Sequence, residues 1–398
     1  MCAMSNIGKQ FPSEMETCID KKSGRKITKL TKTGENYHFY FTENSFTRDD
    51  KEIIYHHSDI PFNEEGASIN LFAMDLETGV RTQLTDFAPH FRYIRYCGTA
   101  KSLDGKMIIF VADGDLYRLE RATGDFIRIF KTPEDFEITA MTVSHDSRYV
   151  AVSISENPVF DRKFSNANYD GFVERFFAIK RGHIIMIDME TFEAQVIVKD
   201  THWAGHIQFA PDTSEYLTYC HEGPWNRVQQ RIWMVNTVTR DVYPVFRQNE
   251  DDSVGHEFWT RDGLVFFDNR GPGHDGTITV DKTQATVFEE DGKDAIPTVG
   301  FADKSGKVIR SFELPYYCNH YHANSDNTLL VADAVSDLLL IDISKDKPSF
   351  EVLCEHNTSW LYQNTHCHPT WSWSDDKILF ASDRDCEGCA QLYLIDLK

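Results

Sequence analysis

The chain has 398 residues, of which 41% are hydrophobic and 13% aromatic, enough to bury a large core, and it carries a formal net charge of −21. No basic stripe offsets that field, which argues against nucleic acid and anionic membrane surfaces as partners. The mean hydropathy is −0.43, and no apolar run approaches the roughly eighteen residues of a membrane span.

Met1 to Glu14 lacks the basic start and apolar stretch of a secretory signal, so the expected compartment is the cytoplasm. Nine cysteines are scattered from Cys2 to Cys389, an odd number that does not suggest a disulfide framework. Cys386 and Cys389 form a lone CxxC, read as structural or incidental rather than as a zinc or redox motif.

Residues 1–19 are read as an N-terminal segment, and residues 20–31, with Ser23-Gly24-Arg25-Lys26-Ile27, as the second half of a β-hairpin. From there one pattern recurs: a strand ending in Asp or Asn, a short turn often holding Thr-Gly, then a strand of alternating polarity. Copies run Leu71 to Leu84, Leu116 to Phe130, Ile184 to Val198, Ile232 to Phe246, Val299 to Phe312 and Leu338 to Leu353. Gly79 and Gly124 sit where the chain reverses and positive φ is needed.

A second pattern, a Ser/Thr/Asn-x-Asp turn before an apolar strand, occurs at Asp49, Asp104, Asp146, Asp212, Asp262, Asp326 and Asp375. Seven four-stranded units at intervals of roughly forty to sixty-five residues predict an all-β, seven-bladed β-propeller, because one isolated sheet cannot bury both faces. The expected domain is single, spanning 1–398. The last strand, Gln391 to Leu397, has no following partner, so residues 20–31 are expected to pair with it and close the ring. Asn157 to Gly182 and Asp268 to Pro297 read as insertions, the first holding a short amphipathic helix within Tyr169 to Arg181 that packs over a blade.

Two groups of residues carry candidate chemistry. In Tyr362 to Pro369, alternation along an extended strand puts His366 and His368 on one face with the Gln363 amide nearby, and His320 offers a third imidazole. Such residues either chelate a metal or are hydrogen-bonded near the propeller axis. If they chelate, every ligand is neutral, and imidazoles with an amide oxygen suit manganese or a similar divalent ion. Cys367 points to the other face and is not a ligand.

The second group comprises His206, His221, Arg231, His256 and Trp259. All seven tryptophans lie beyond residue 200. They serve either as a sugar-stacking platform or, more commonly, as core. Arg231 reads equally as a strand-face ion pair.

The strings HEGP, R-I-W, HEFW, H-N-T-S-W and Q-x-T-H-x-H-P, in this order, resemble the oligogalacturonate lyases, and the blade pattern matches that family across nearly the whole chain. The resemblance implies a manganese site on His320, Gln363, His366 and His368, a Brønsted base at His256, and a substrate-carboxylate arginine at Arg231. His206, His221 and Trp259 are further candidates for substrate contact. The implied partner is an acidic oligosaccharide, and the implied reaction is β-elimination to a 4,5-unsaturated uronate.

The chain departs from the family where a Cys-His-Arg-Asn-Tyr stretch reads Gly34-Glu35-Asn36-Tyr37-His38, and where the metal strand has Cys367 in place of proline. An insertion after the His320 loop is also missing. These differences bear on which uronate oligomer is preferred. Two other readings compete: the same fold acting on another uronate oligosaccharide, and a non-catalytic propeller that docks a protein. The propeller of a serine peptidase is disfavoured by the lack of a GxSxG motif.

Overall fold

Turn chemistry shapes the repeats locally. Between the strands Asn70–Asp75 and Arg81–Gln83, the Asp75 carboxylate accepts from the Thr78 N–H at 2.7 Å and the Thr78 hydroxyl at 2.8 Å. Gly79, with φ 72°, turns the chain back. At the corresponding turns the Thr191 N–H donates to Asp188 and the Thr239 N–H to Asn236. At the other recurring turn Thr47 donates to Asp49 at 2.8 Å, Ser102 to Asp104 at 2.7 Å and Ser144 to Asp146 at 2.6 Å. These bonds account for the depressed pKa values of Asp49 and Asp104, whose largest cause is that hydroxyl.

The computed structural model describes residues 5–62, 64–87, 98–159, 169–250, 252–271, 276–280, 296–315 and 317–398. Among them seven antiparallel sheets form, and the fold is an all-β seven-bladed β-propeller. Two compact units divide the chain, Met1–Lys131 with Val352–Lys398, and Thr132–Glu351.

The first unit holds three blades. Blade 1 is Glu35–His38, Glu52–Ser58, Asn70–Asp75 and Arg81–Gln83, and blade 2 is Thr99–Lys101, Met107–Ala112, Asp115–Glu120 and Asp125–Phe130. Blade 7 is Thr370–Trp371, Lys377–Ser382 and Gln391–Asp396, completed by Lys26–Lys29. Ile27 lies opposite Ile395 and Thr28 opposite Leu394, so the N-terminal strand closes the last blade as its sequence predicts. Glu16–Ile19 adds a fifth strand outside it, and Gln10–Phe11 a fifth strand to blade 1, neither foreseen from the pattern. Tyr37, Ile54, Leu71 and Ala73 pack against Ile108, Phe110 and Leu119 between blades 1 and 2, while Ile53, Tyr55 and Phe72 meet Leu379 and Leu392 of blade 7.

The second unit begins with blade 3, Phe136–Val143, Tyr149–Glu156, Gly182–Asp188 and Ala194–Asp200, and blade 4, Ala204–Phe209, Tyr216–His221, Ile232–Asn236 and Val242–Pro244. Blade 5 is Val254–Trp259, Val265–Asn269, Thr298–Ala302 and Val308–Glu313. Blade 6 is Tyr321–Ala323, Leu329–Asp333, Asp337–Asp342 and Ser349–Glu355, the unit boundary falling in its last strand. Met234 and Val245 of blade 4 pack on Val254, Val265 and Phe267 of blade 5.

The foreseen helix spans Phe172–Ala178 and lies over a blade, with Arg175 paired to Glu137 and its guanidinium 5.0 Å from the Trp203 ring centre. Of the two insertions, residues 160–168, 272–275 and 281–295 lie outside the described residues. Among the described residues Cys18, Cys220, Cys318, Cys354, Cys367, Cys386 and Cys389 are free thiols. No described helix is long and apolar enough to cross a membrane.

Candidate active site and metal ligands

Blades 4, 5 and 6 repeat one construction. A histidine on or beside the first strand faces a carboxylate at the end of the second: His206 with Glu222, His256 with Asp268, His320 with Asp333. In blade 6 both Asp333 oxygens are used, one by the His320 backbone N–H at 2.6 Å and the other by ring Nδ1 at 2.9 Å. In blade 5 the His256 N–H donates to Asp268 Oδ1, and Asp268 Oδ2 lies 3.1 Å from Arg270. In blade 4 His206 Nε2 is 3.7 Å from Glu222 and Nδ1 is 3.0 Å from Glu257 of the next blade.

Glycines and bulges aim these histidines. The ladder slips register between Gly205 and Gln208, and again between Val254 and Glu257, which re-orients one residue on each strand. His206 takes φ 43° there. A Cβ on Gly205 would come to 3.1 Å from Glu222 Oε2, and one on Gly255 to 3.1 Å from Asp268 Oδ1, so the carboxylates occupy the space a side chain would need. The outcome is a row of rings. His206 and His256 lie parallel at 5.8 Å between centroids, and His256 and His320 are 4.5 Å apart. Trp225 meets His256 edge-on at 5.3 Å.

Burial governs the protonation of His256 and His320. His256 is 5% exposed and His320 2%. Burial depresses both pKa values well below the ordinary imidazole range, with His320 adding to the effect at His256 and Arg270 adding to it at His320. Both rings are therefore neutral at neutral pH. At Asp268 burial outweighs the pull of Arg270 and raises the pKa.

Arg231 is almost wholly enclosed. Its Nη2 is 3.3 Å from Glu222 and its Nε 3.3 Å from Glu257, so its charge is met by protein carboxylates. Both roles read from the sequence, ion pair and carboxylate clamp, thus fall on one guanidinium, and the first is realised. Arg270, not anticipated, donates to the carbonyls of Cys318 at 2.7 Å and Asn319 at 3.2 Å and stacks on Trp225 at 4.2 Å.

In the first unit, His366 and His368 do not sit on a regular strand as alternation predicts. Gln363–Thr365 forms a 3-10 turn, His368 takes φ 44°, and the strand begins only at Thr370. The cause is local: the Thr365 hydroxyl donates to the Tyr362 carbonyl at 2.9 Å, and the Thr358 hydroxyl bonds the Thr365 carbonyl. The two imidazoles nevertheless come together, centroids 5.5 Å apart, with Trp360 against His366 at 5.1 Å and Tyr40 against His368 at 4.9 Å. Cys367 is buried, and its carbonyl accepts from His38 Nε2 at 3.1 Å. Gln363 lies at the head of the turn, half-buried. Asp383 secures the approach to this loop, accepting from the Thr358 hydroxyl at 2.8 Å and the Ser359 N–H at 2.7 Å.

Two further sequence candidates have their own partners. His221 Nε2 meets Asp200 Oδ2 at 2.8 Å. Trp259 ends the strand that carries His256, packs beside Val265, and spends its indole N–H on the Gln208 carbonyl at 3.3 Å. The residues overlooked were the carboxylates Glu222, Glu257, Asp268, Asp333 and Asp383. For all but Glu257, which lies within the first strand of blade 5, the signal was present, since Y-C-H-E, F-F-D, V-A-D and A-S-D all end the second strands of successive blades.

Fold and site together define a β-propeller enzyme whose blades carry buried histidines backed by carboxylates. A sequence model described as oligogalacturonate lyase matches residues 4–278, and the chain belongs to that lyase family. It is 26% identical over 416 residues to the oligogalacturonate lyase of Dickeya dadantii and 25% identical over 420 to the oligogalacturonide lyase of Pectobacterium atrosepticum, with 97% of each chain covered. Among solved structures it resembles an oligogalacturonate lyase in complex with manganese, with a TM-score of 0.80 at 24% identity over 99% of both chains. An oligogalacturonate lyase from Vibrio parahaemolyticus gives 0.81 at 23% identity, covering 98% of this chain and 99% of the other.

Proposed function

We propose that the chain cleaves oligogalacturonides by metal-assisted β-elimination, yielding 4,5-unsaturated uronates in intracellular pectin breakdown. The observation that carries this reading is the His320–Asp333 pair. A carboxylate that takes the Nδ1 proton fixes the tautomer and leaves Nε2 as the lone-pair donor, the outer-shell arrangement typical of metal-bound histidine. Burial keeps the ring neutral, as ligation requires.

As the family resemblance implies, His320, Gln363, His366 and His368 would hold the ion. All four ligands are neutral, a donor set suited to Mn2+ or a related dication, and the bound ion would supply Lewis-acid neutralisation of the uronate carboxylate. His256 accepts the C5 proton. Its depressed pKa keeps the imidazole unprotonated, and Trp225 and the backbone bond to Asp268 hold the ring's position.

Arg231 is the candidate for recognising a substrate carboxylate, on one condition. Both edges of the guanidinium now face Glu222 and Glu257, so a bidentate clamp requires one of them to yield. With Arg231 so engaged, its present work is to hold Glu257 beside His206.

The test is direct. Protein stripped with EDTA and reloaded with Mn2+ is mixed with digalacturonate and trigalacturonate, and absorbance of the conjugated alkene is followed. Growth with metal and none without it is expected. No growth on either oligomer, from folded and loaded protein, would overturn the assignment of substrate.

A further inference from the structure

Outside the row of active-site histidines, a second cluster lies where blade 3 hands the chain to blade 4. Asp200 ends the last strand of blade 3, His202 lies two residues on, and His221 closes the second strand of blade 4. One carboxylate oxygen or imidazole nitrogen from each lies within 4.8 Å of the others. His202 Nδ1 is 2.9 Å from Asp200 Oδ1, and His221 Nε2 is 2.8 Å from Asp200 Oδ2. The rings stack face to face, centroids 4.1 Å apart and 11° from parallel.

We propose that Asp200, His202 and His221 form a second divalent-cation site, separate from the one proposed for catalysis and suited to a borderline ion such as Zn2+. Two imidazoles and one carboxylate make a three-ligand set with a position left for water.

The surroundings are built as an outer shell. The Tyr219 hydroxyl donates to Asp200 Oδ2 at 2.7 Å, so the carboxylate is oriented from behind. The backbone N–H groups of Thr201 and His202 donate to Asp200 Oδ1 at 2.6 and 3.2 Å, and this tight turn carries the His202 ring over its own aspartate. Trp233 covers the other side of His221 at 5.1 Å. The His202 side chain is 52% exposed, while those of His221 and Asp200 are 9% and 14% exposed, so an ion has a path in and a largely dry seat.

Binding would replace the imidazole–carboxylate hydrogen bonds with coordination at the same atoms. The ion would then tie the end of one blade to the second strand of the next. Its role would be to brace that connection, and the site's existence does not depend on which sugar acid the enzyme cleaves.

The experiment uses the full chain, stripped of metal and dialysed against Zn2+ alone. Bound zinc is counted by elemental analysis, and affinity is measured by competition with a chromogenic chelator. Wild-type protein should hold one ion more than His202→Ala, whose exposed position spares the fold. Tyr219→Phe should keep the ion but bind it about 10–100-fold more weakly, as loss of an outer-shell partner does. Zinc should raise the melting temperature of the wild type more than that of His202→Ala. Equal stoichiometry and affinity in wild type and His202→Ala would overturn the proposal and leave the cluster a hydrogen-bonded clamp. His366→Ala separates the two sites: it should lose the catalytic ion and retain the one removed by His202→Ala.

Discussion

Replacing Asp333 with Asn tests the metal assignment through a residue that never touches the metal. Asp333 is fully buried and splits its oxygens between the His320 N–H and the His320 ring. Asparagine is nearly isosteric, and its carbonyl can keep the backbone bond. Its amide would then present a donor to Nδ1, which favours the tautomer protonated at Nε2 and removes the lone pair a cation needs. Loss of such a partner typically weakens metal binding about 10–100-fold, equivalent to roughly 1.4–2.8 kcal/mol. Titration of stripped protein with Mn2+, following free ion by electron paramagnetic resonance, reads this directly. Circular dichroism and the denaturation midpoint report whether the fold is kept. Wild-type Mn2+ affinity in a folded Asp333→Asn protein would refute the argument, because His320 would then bind no ion or bind it without regard to tautomer.

Two further outcomes concern the fold. Ile27→Ala empties a fully buried position in the closing strand and should cost about 2–5 kcal/mol in chemical denaturation; a loss under about 1 kcal/mol would mean the N-terminal strand does not hold blade 7 together. Burial lowers the pKa of His38 to about 4 and of His56 to about 3, so the unfolded chain takes up protons that the folded one refuses. That contribution to stability is complete above the unfolded value near 6.5 and is lost as pH falls from there toward the folded values, by roughly 1 kcal/mol per pH unit for each ring. Urea midpoints measured across this range should fall less steeply for His56→Gln than for wild type, and identical slopes would contradict the assignment.

The architecture was readable because its signals are local and repeated. Asp75-x-x-Thr78-Gly79 and Thr47-x-Asp49 each close a turn by their own hydrogen bonds, whatever surrounds them, so the recurrence of such turns identifies a propeller from the string alone. The pairing of Ile27 with Ile395 could be inferred because an unpaired last strand demands a partner. The strands Gln10–Phe11 and Glu16–Ile19 were missed because they are short and mostly exposed, without an apolar rhythm to mark them.

The site was legible in its residues more than in its geometry. Alternation put His366 and His368 on a strand, but side-chain hydrogen bonds from Thr365 and Thr358 won over the extended backbone and made a turn. His206 and His256 are aimed by bulges beside Gly205 and Gly255, which no period of two can express. The roles of Glu222, Asp268 and Asp333 depend on contacts between strands, which the sequence records only as acids recurring at strand ends, and Glu257, within a strand, carries no such mark. His221 and Trp259 stood in strings typical of the family, and their side-chain nitrogens bond Asp200 and the Gln208 carbonyl.

His256 is proposed to remove the C5 proton as a neutral imidazole next to a metal-held uronate. The most direct measurement compares His256→Ala with wild type, each loaded with Mn2+ and assayed for the unsaturated product on digalacturonate. Full metal content is expected in both proteins, with alkene absorbance from the wild type alone. Product formed at the wild-type rate by the variant would contradict it and move the base to another residue.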